Sequence, residues 1–377
     1  IAKVRLRAGA AGIRFVAVHS EPTRRLVRVI SPGSSVLPDG KWHVLRVHGR
    51  VREEADYFNI GLFGAGASDA DFDDVRLAEY KPQNRQMSAH ASKELTKALD
   101  AIHRLHINAR DNKRWPEMAE RARHDAAGAR TTADLAPAIT ALLGDLNEHH
   151  ALLFTPEDQN ASTSDQSTDN YPRPSVTLIE GGVGYVTLPA FNLSREADVV
   201  PAKSYIRTVR KGLETLDAKP LCGWIVDVRG NSGGTTHVMA SAVAGLARFD
   251  IKDWPDQYDD YLKNTPIYSW LATETQHDLK QGNKPVAVLI DGQTGSAGED
   301  TALRFVGRPP TRSFGSPSAG FTSANERVEL ADGYVLLIPS IYMHDRNGNP
   351  TKDRVMPEEQ TDDPMTAAKR WLSSQCK

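Results

Sequence analysis

The sequence predicts a multidomain α+β protein, in which an all-β segment, a helical segment and a mixed α/β segment follow one another. Residues 1–83 carry short alternating apolar runs separated by turn residues. Residues 88–155 change to apolar residues at three- and four-residue spacing, and from residue 176 onward apolar runs alternate with helical patterns. These changes of period predict a β domain at 1–83, a helical bundle at 88–155, a flexible linker or loop at 156–175 and an α/β domain at 176–377.

The first segment has the pattern of a β-sandwich. Runs such as KVRLR, IRFVAVHS, RRLVRVIS and WHVLRVHGRV are separated by turn signals such as SPGS and LPDGK. Strands at this spacing are typical of two packed antiparallel sheets. We therefore expect a β-sandwich accessory domain, with DFDDVRLAEY (71–80) as its last strand and its acidic residues in an exposed turn.

The second segment predicts short amphipathic helices. SKELTKALDAIHRLHINA, WPEMAERARHDAAG and TTADLAPAITALLGDLNEHH each place apolar residues on one helical face. TTAD (131–134) fits a capping box with Asp in place of Glu. Helices this short need packing partners, so we expect a small bundle against a neighbouring element.

Composition argues against nucleic-acid binding, a membrane span and a cysteine-rich zinc module. The chain has 377 residues and a formal net charge of −2, which gives no electrostatic case for nucleic acid or an anionic membrane. No apolar run approaches the ~18 residues of a membrane span. The two cysteines, Cys222 and Cys376, exclude a cysteine-rich zinc module. Cys222 is expected to be a buried apolar residue, and a disulfide between the two is possible but has no support in the sequence.

The cellular compartment stays open at this stage. Residues 1–30 lack the basic start and apolar stretch of a signal peptide, and the chain begins within a strand-like pattern. We expect a processed or trimmed N-terminus, and we favour an extracytoplasmic location over a cytoplasmic one. The oligomeric state is not predicted.

The stretch DGQTGSAGED (291–300) is the first candidate site. The apolar run PVAVLI (285–290) predicts a buried strand, and EDTALRFVG (299–307) predicts the helix that follows. Ser296 then lies at the strand-to-helix corner, where first-turn N–H groups have no helical partner. This position suits a nucleophile beside an oxyanion site, although a serine in a tight turn near an N-cap is the structural alternative.

A second corner has the same pattern. WIVDVRGNSGGTTH runs from an apolar strand through a glycine-rich turn with Gly230, Gly233 and Gly234 into a helix. The turn has no Walker lysine and is not GxGxxG, so it does not indicate a nucleotide site. A tight packing turn remains the alternative. Two such corners at neighbouring strand ends can face one crevice and supply a nucleophile and an oxyanion hole for acyl transfer.

A serine nucleophile needs a base, either lysine or histidine. The interval between Lys284 and Lys352 contains no lysine. Histidine candidates are found at the end of the last bundle helix, in the helix after the glycine turn and in the last hairpin: His149, His150, His237 and His344. For each one, a surface or core role is the alternative.

Four blocks of the sequence resemble the signature blocks of the S41 peptidases, the tail-specific or C-terminal processing serine proteases. They are GWIVDVRGNSGG, KPVAVLIDGQTGSAGE, GRPPTRSFGSPSAGFTSANERVELADGYVLLI and DRNGN…RVMPEE, and their order and spacing over 176–360 match those of the family. LNEHHALLF (146–154) resembles the block that carries the catalytic histidine in the non-lysine branch. No segment between bundle and core resembles a PDZ domain.

The resemblance implies a crotonase-like ββα catalytic core with a defined set of site residues. Ser296 would be the nucleophile and His150 the general base. The oxyanion donors would be the N–H of Ala297 and that of Gly233 or Gly234. The predicted substrate-binding residues are Asn231, Thr294 and Gly295.

Two positions depart from the family pattern. A hydroxyl residue often follows the histidine in the non-lysine branch, and here that residue is Ala151. A distant acid normally completes the relay, but Asp353, Glu358 and Glu359 do not align cleanly with it, and Glu358 is the predicted member. Glu299 fits the family pattern, either as a catalytic group or as an acid favoured by the helix dipole.

The sequence thus predicts a serine peptidase that hydrolyses peptide bonds through an acyl-enzyme. A peptide or protein is the expected substrate, and no metal, organic cofactor or nucleic acid is implied. The alternatives are a hydrolase of a non-peptide ester, amide or lactone, and a ligand-binding protein on the same fold, which Ala151 favours. Aromatic residues near 250–282 are expected to line the cleft or to pack on the bundle.

Overall fold

The protein forms two compact units. The structure is a computed structural model, and it describes residues 2–18, 26–30, 39–45, 57–79, 81, 85–148, 150–156, 173–193, 196–248, 267, 270–271 and 279–376. The first unit comprises Ile1–Gln166 and Asn325–Ile341, and the second comprises Ser167–Ala324 and Tyr342–Lys377. A segment from the C-terminal half therefore belongs to the first unit, while the four domain boundaries given above stay predictions.

The first unit begins with one antiparallel sheet. Its strands are β1 (Ala2–Val18), β2 (Leu26–Ile30), β3 (Trp42–Leu45) and β4 (Tyr57–Asp73). β1 pairs antiparallel with each of the other three. The runs KVRLR and IRFVAVHS are thus parts of a single strand. The described residues of this region give one sheet, so the sandwich stays a prediction.

Alternation along β1 explains its two faces. Ala2, Val4 and Leu6 are buried together, as expected for every second residue of a strand with one covered face. Arg5 and Arg7 point to the other face, where both form ion pairs with Asp71 of β4. These pairs are partly exposed, so they fix the pairing of β1 with β4 more than they stabilise it.

Three helices follow, as predicted. They are α1 (Ala89–Leu105), α2 (Trp115–Asp125) and α3 (Thr132–Asp145). The capping box at α3 is confirmed, because the Asp134 carboxylate accepts the Thr131 N–H at 3.0 Å while the Asp134 N–H donates to the Thr131 hydroxyl at 3.4 Å.

The rest of the chain supplies the elements that carry the site. Its strands are β5 (Leu152–Phe154), β6 (Ser175–Ile179), β7 (Val183–Thr187), β8 (Gly223–Asp227), β9 (Val286–Ile290), β10 (Thr311–Gly315), β11 (Ser323–Glu329), β12 (Val335–Tyr342) and β13 (Glu359–Gln360). Its helices are α4 (Val199–Asp217), α5 (Thr236–Ala247), α6 (Ala297–Leu303) and α7 (Pro364–Gln375). Among the described residues, no helix has the length and apolar character needed to cross a membrane.

The second unit is built on a six-stranded sheet in the order β13-β10-β9-β8-β7-β6. All neighbours pair parallel except β6 and β7, which are antiparallel. Side chains of β8 alternate between two cores. Trp224 and Val226 pack with residues of α4 and α5 on one face, whereas Ile225 packs with residues of α7 on the other. Burial on both faces explains the continuous apolar runs of the central strands.

A three-stranded sheet in the order β11-β12-β5 completes the first unit. Its strand β12 pairs antiparallel with β5. Leu336 and Ile338 of β12 are fully buried and belong to the same core as the helices α1, α2 and α3. The bundle therefore packs against a hairpin that follows it by almost two hundred residues in the chain.

A disulfide joins Cys222 to Cys376, with their Cα atoms 4.8 Å apart. The expectation that Cys222 is simply a buried apolar residue was therefore wrong, and the disulfide that the sequence left open is present. The two cysteines lie 154 residues apart in the chain, too far for local sequence to suggest the pairing. The bond attaches the end of α7 to the start of β8, across the face of the sheet that α7 covers.

Loss of this disulfide is expected to destabilise the second unit. Cys376→Ser should lower the free energy of unfolding by about 2–5 kcal/mol, because the bond closes a long loop in the unfolded chain. Thermal unfolding of the wild type and the variant, each with and without reductant, measures the effect. Reductant should lower the wild-type melting temperature and leave that of Cys376→Ser unchanged. Equal sensitivity of both proteins to reductant would contradict the assignment.

Acid should destabilise the first unit through His106. This side chain is fully buried, and burial lowers its pKa to about 4. Because the unfolded pKa is about 6.5, the unfolded chain binds the proton more readily. The stability linked to His106 is therefore complete above pH 6.5 and is lost as pH falls toward 4. Between pH 7 and pH 5 the expected loss is about 2 kcal/mol in the free energy of unfolding.

Unfolding of His106→Gln and wild type at pH 7, 6 and 5 tests this linkage. The variant should lose less stability on acidification. His124→Gln is the control, because the His124 side chain is 75% exposed. The same pH dependence in wild type and His106→Gln would refute the expectation.

Candidate active site

The two strand-to-helix corners meet at the carboxyl ends of two central strands of the six-stranded sheet. β8 and β9 are adjacent and parallel, with Asp227 opposite Leu289, so their following loops leave the sheet on the same side. The loops are joined directly. The Gly295 N–H donates to the carbonyl oxygen of Asn231 at 2.9 Å. The Thr294 hydroxyl donates to the carbonyl oxygen of Val228 at 2.9 Å. The loop after β8 and the loop after β9, which were predicted to face one crevice, are thus hydrogen-bonded to each other.

Ser296 has an unusual backbone conformation at this corner. Its φ is 49° and its ψ is −118°, values that a residue with a Cβ adopts only under strain. It is the N-cap residue of α6. Ser296 is half-buried, whereas its neighbours from Thr294 to Asp300 are buried. A strained strand–turn–helix corner of this kind exposes a serine hydroxyl beside unpaired helix N–H groups.

Glu299 holds the corner in place. Its carboxylate accepts the Ser296 N–H at 2.7 Å, the Gly320 N–H at 2.7 Å and the hydroxyl of Ser318. The side chain is fully buried, and burial raises its pKa above the usual value for glutamate. Both oxygens are thus engaged in fixing backbone, which supports a positioning role and not proton transfer. Sequence reasoning did not find Ser318 and Gly320, since they are distant in the chain.

Replacing the carboxylate by an amide should disturb the corner. In Glu299→Gln, one of the two backbone N–H groups, at Ser296 or Gly320, must face an NH₂ group. A buried N–H without an acceptor costs about 1–3 kcal/mol. A small displacement of the nucleophile is enough to lower kcat by up to ~100-fold. Steady-state kinetics on a cleaved peptide, with the exposed Glu120→Gln as the control, should show the loss in kcat for Glu299→Gln alone.

The glycine turn supplies the opposite wall. A Cβ built on Gly233 would lie 2.7 Å from the Cβ of Ser296, so only glycine permits this close approach. The Gly233 N–H donates to the Asn231 side-chain oxygen at 2.9 Å. Gly234 is exposed, has a φ of +115° and has an N–H with no acceptor among the described residues. The Ala297 N–H likewise has no acceptor within the described part of the chain. Gly234 and Ala297 are therefore the groups free to bind an oxyanion.

The three residues expected to bind substrate are inside the corner. Asn231 and Thr294 are fully buried, and Gly295 is buried between Ser232 and the 319–321 loop. The Asn231 amide donates to the carbonyl oxygen of Leu188 at 2.8 Å. The Thr294 hydroxyl and the backbone bond from Gly295 to Asn231 join the two loops, while the Asn231 side chain fixes its own turn to the end of β7.

The turn that carries His150 belongs to the first unit. It follows α3, and Asn147 takes a positive φ of 53° there. One oxygen of Glu148 accepts the N–H of His150 at 2.7 Å and that of Ala151 at 3.0 Å. Ala151 is buried in the core of the bundle, so the position of the expected hydroxyl is an apolar packing position. His150 is half-buried, and His149 lies outside the described residues.

Glu148 was missed by the sequence analysis. The sequence contained one indication of it: Glu148 stands two residues before the candidate base. At this spacing an acidic side chain can accept a backbone N–H of the turn that follows it. The structure shows that this carboxylate fixes the backbone on both sides of the His150 carbonyl.

The acidic candidates for the relay have other partners. Glu358 is exposed, and its carboxylate accepts the Ser313 N–H at 2.9 Å. Glu359 forms ion pairs with Arg312 at 3.3 Å and Arg370 at 3.8 Å. Asp353 accepts the N–H of the next residue, Arg354. The role predicted for Glu358 stays a prediction.

Two further expectations concern the aromatic insertion and a metal site. Of the aromatic insertion near 250–282, the structure describes Trp270, which lies near the cations of Lys203 and Arg207. The remaining aromatic residues of that insertion lie outside the described residues. Within the part of the chain that is described, no cluster of His, Cys, Asp and Glu could hold a metal ion.

Comparisons with known proteins cover most of the chain and include both corners. The family model of Peptidase family S41 matches residues 182–361, which include both corners. The nisin-resistance protein of Lactococcus lactis subsp. lactis is 32% identical over 274 residues, covering 71% of this chain and 82% of that protein.

Two solved structures have a similar fold. A lipoprotein from Streptococcus agalactiae aligns with a TM-score of 0.61 at 19% identity, over 80% of this chain and 99% of that one. The photosystem II D1 C-terminal processing protease aligns with a TM-score of 0.52 at 14% identity, over 77% of this chain and 100% of that one. Because these identities are low, the two structures show a similarity of fold alone. From the family match and the nisin-resistance relative, it follows that this chain belongs to peptidase family S41 and is a serine peptidase.

Proposed function

We propose that the protein hydrolyses peptide bonds through an acyl-enzyme, with Ser296 as the nucleophile and His150 as the general base. The observation that carries the proposal is the backbone of Ser296. A strained, half-buried serine at a helix N-terminus, with the N–H groups of Gly234 and Ala297 free beside it, is the arrangement that acyl transfer needs.

The reaction follows from these groups. The Ser296 oxygen attacks the carbonyl carbon of the scissile bond while its proton passes to His150. Negative charge develops on the carbonyl oxygen, where the Gly234 and Ala297 N–H groups donate hydrogen bonds. The C–N bond then breaks, and the amine leaves with the proton from His150. Water, deprotonated by His150, attacks the ester and releases the acid and the free serine.

The substrate is a peptide or a protein, as the family implies. We infer that nisin is the first peptide to examine, because a relative at 32% identity is a nisin-resistance protein. An extended peptide would suit the crevice at the carboxyl ends of β8 and β9, where loop backbone groups can hydrogen-bond with it.

We propose an extracytoplasmic location. The disulfide between Cys222 and Cys376 is typical of an oxidising compartment. The solved relative from Streptococcus agalactiae is described as a lipoprotein, which agrees with such a location. We also propose that the second unit is a crotonase-like core, since it has a mainly parallel sheet with helices on both faces.

Labelling with a fluorophosphonate tests the chemistry directly. The probe forms a covalent adduct with an activated serine, and mass spectrometry of the digested protein locates it. We expect the adduct on Ser296, with at least tenfold slower labelling in His150→Ala because the base is lost. His124→Ala is the matched control, being an exposed histidine of the first unit. An adduct elsewhere, or an unchanged rate in His150→Ala, would contradict the proposal.

A peptide panel then separates the candidate substrates. Nisin, unstructured peptides and small ester or lactone substrates are incubated with the enzyme and with Ser296→Ala. Cleavage of peptides that needs Ser296 supports the proposal. Turnover confined to small acyl substrates would instead favour the non-peptide hydrolase.

A further inference from the structure

The strand that pairs with β5 offers no backbone N–H opposite His150. β5 and β12 pair with Leu152 opposite Leu337. Continuing this register by two residues places His150 opposite Pro339, which has no N–H. The carbonyl of Pro339 accepts the N–H of Ile107 at 2.9 Å and so is engaged elsewhere. The ladder between β5 and β12 therefore ends at the candidate base.

Asn325 of β11 supplies the missing donor. Its side-chain Nδ2 donates to the carbonyl oxygen of His150 at 3.3 Å. Both residues belong to the first unit. Since a carbonyl oxygen can only accept, the NH₂ group of the amide must face His150 and the amide oxygen must point away from that carbonyl.

The amide oxygen of Asn325 is itself unsatisfied. Oδ1 is buried and has no hydrogen-bond partner among the described residues. Buried side-chain acceptors nearly always have a donor, so an exception next to a candidate catalytic group calls for a functional explanation. A donor that approaches Oδ1 during turnover must carry an N–H or an O–H group, and the imidazole of His150, whose main chain Asn325 already contacts, carries such an N–H.

The groups expected to orient the histidine do not fill this role. The hydroxyl position of the family is Ala151, whose side chain is in the bundle core. Glu358 accepts from Ser313, and Glu359 is paired with two arginines. The carboxylate that does contact this segment, Glu148, accepts backbone N–H groups.

We propose that Asn325 is the positioning residue of the general base. Its Nδ2 fixes the main chain at His150, and its Oδ1 accepts an N–H of the imidazole during turnover, in the place where the family pattern has an acid. The inference rests on the proposed role of His150. It predicts that the relay ends in a neutral amide and not in a carboxylate.

Two variants of Asn325 separate these roles. Asn325→Ala removes both the donor and the acceptor, so kcat should fall by up to ~100-fold while KM changes little. Asn325→Asp keeps the acceptor but adds negative charge, which favours the imidazolium form. The acidic limb of its kcat/KM profile against pH should therefore move to higher pH. In Asn325→Ala, which loses the acceptor without gaining charge, the limb should move to lower pH, whereas a purely structural asparagine would leave the limb of that variant where it is.

The controls distinguish this inference from the proposed function. Asn112→Ala removes a bond of the same type, from Nδ2 to the carbonyl oxygen of Asn108, within the same unit. It should keep wild-type kinetics. His150→Ala and Ser296→Ala run in the same assay, and full activity in either would refute the proposed function. If both are inactive while Asn325→Ala stays within twofold of wild type and Asn325→Asp has an unshifted limb, the role of Asn325 alone is refuted. Melting temperatures confirm that each variant is folded.

Discussion

Ser296→Ala is expected to reduce kcat by about 10⁴-fold or more on any peptide that the wild type cleaves, because nucleophile loss removes the acyl-enzyme route entirely. The residual rate would come from binding and from the oxyanion donors. Alanine keeps the Cβ of serine, so it bears the same backbone strain at φ 49° and should not change the fold. The melting temperature should stay close to the wild-type value.

Progress curves with enzyme in excess measure this loss, since turnover will be too slow for ordinary assays. Ser373→Ala is the control, an exposed serine in α7 that should keep full activity. A folded Ser296→Ala enzyme with wild-type kcat would show that the strained corner is structural and that another group carries the chemistry.

Gly234→Ala is the second substitution with a large expected effect. An added Cβ would lie 2.1 Å from the carbonyl oxygen of Phe191, which is backbone and cannot rotate away. The turn must shift, and its N–H would leave the position where it faces the developing charge. Loss of one such donor lowers kcat by about 10²–10³-fold. KM should change less, because the donor acts mainly on the transition state.

Gly230→Ala gives a matched control within the same turn. It also places a Cβ at positive φ, +69°, but its nearest neighbour would be the Gln293 side chain at 3.8 Å. This variant should lose about 1–2 kcal/mol of stability from backbone strain alone and keep most of its activity. Kinetics corrected for the folded fraction compare the two variants. An equal loss of kcat in both would mean that strain, and not the position of the Gly234 N–H, explains the effect.

Local pattern was enough to locate the serine corner. The apolar run before Asp291 and the glycines around Ser296 predicted a strand, a turn and a helix, and the structure has β9, the turn and α6 there. The capping box at Thr131 was equally local. In both cases the interacting groups are a few residues apart, so the sequence contains the whole interaction.

Contacts between residues distant in the chain could not be predicted from local sequence. Nothing near Glu299 indicates that its carboxylate binds Ser318 and Gly320, and nothing near Cys222 indicates Cys376. That the Gly233 N–H is bonded, whereas no such bond engages the Gly234 N–H among the described residues, depends on where the Asn231 side chain points. Periodicity also could not tell that β12 belongs to the core of the bundle, because an alternating strand looks the same whichever partner it covers.

The late position of β12 in the chain has a consequence for synthesis. The bundle core contains Leu336 and Ile338, and β5 pairs with β12, so the segment that presents His150 lacks its neighbour until the ribosome has passed residue 342. Ser296 and its turn leave the ribosome earlier. Non-local pairing of this kind delays folding until both partners are available. Under the proposed mechanism the nascent chain has its nucleophile before its base is fixed, and we expect it to stay inactive toward itself and its neighbours until the hairpin is complete.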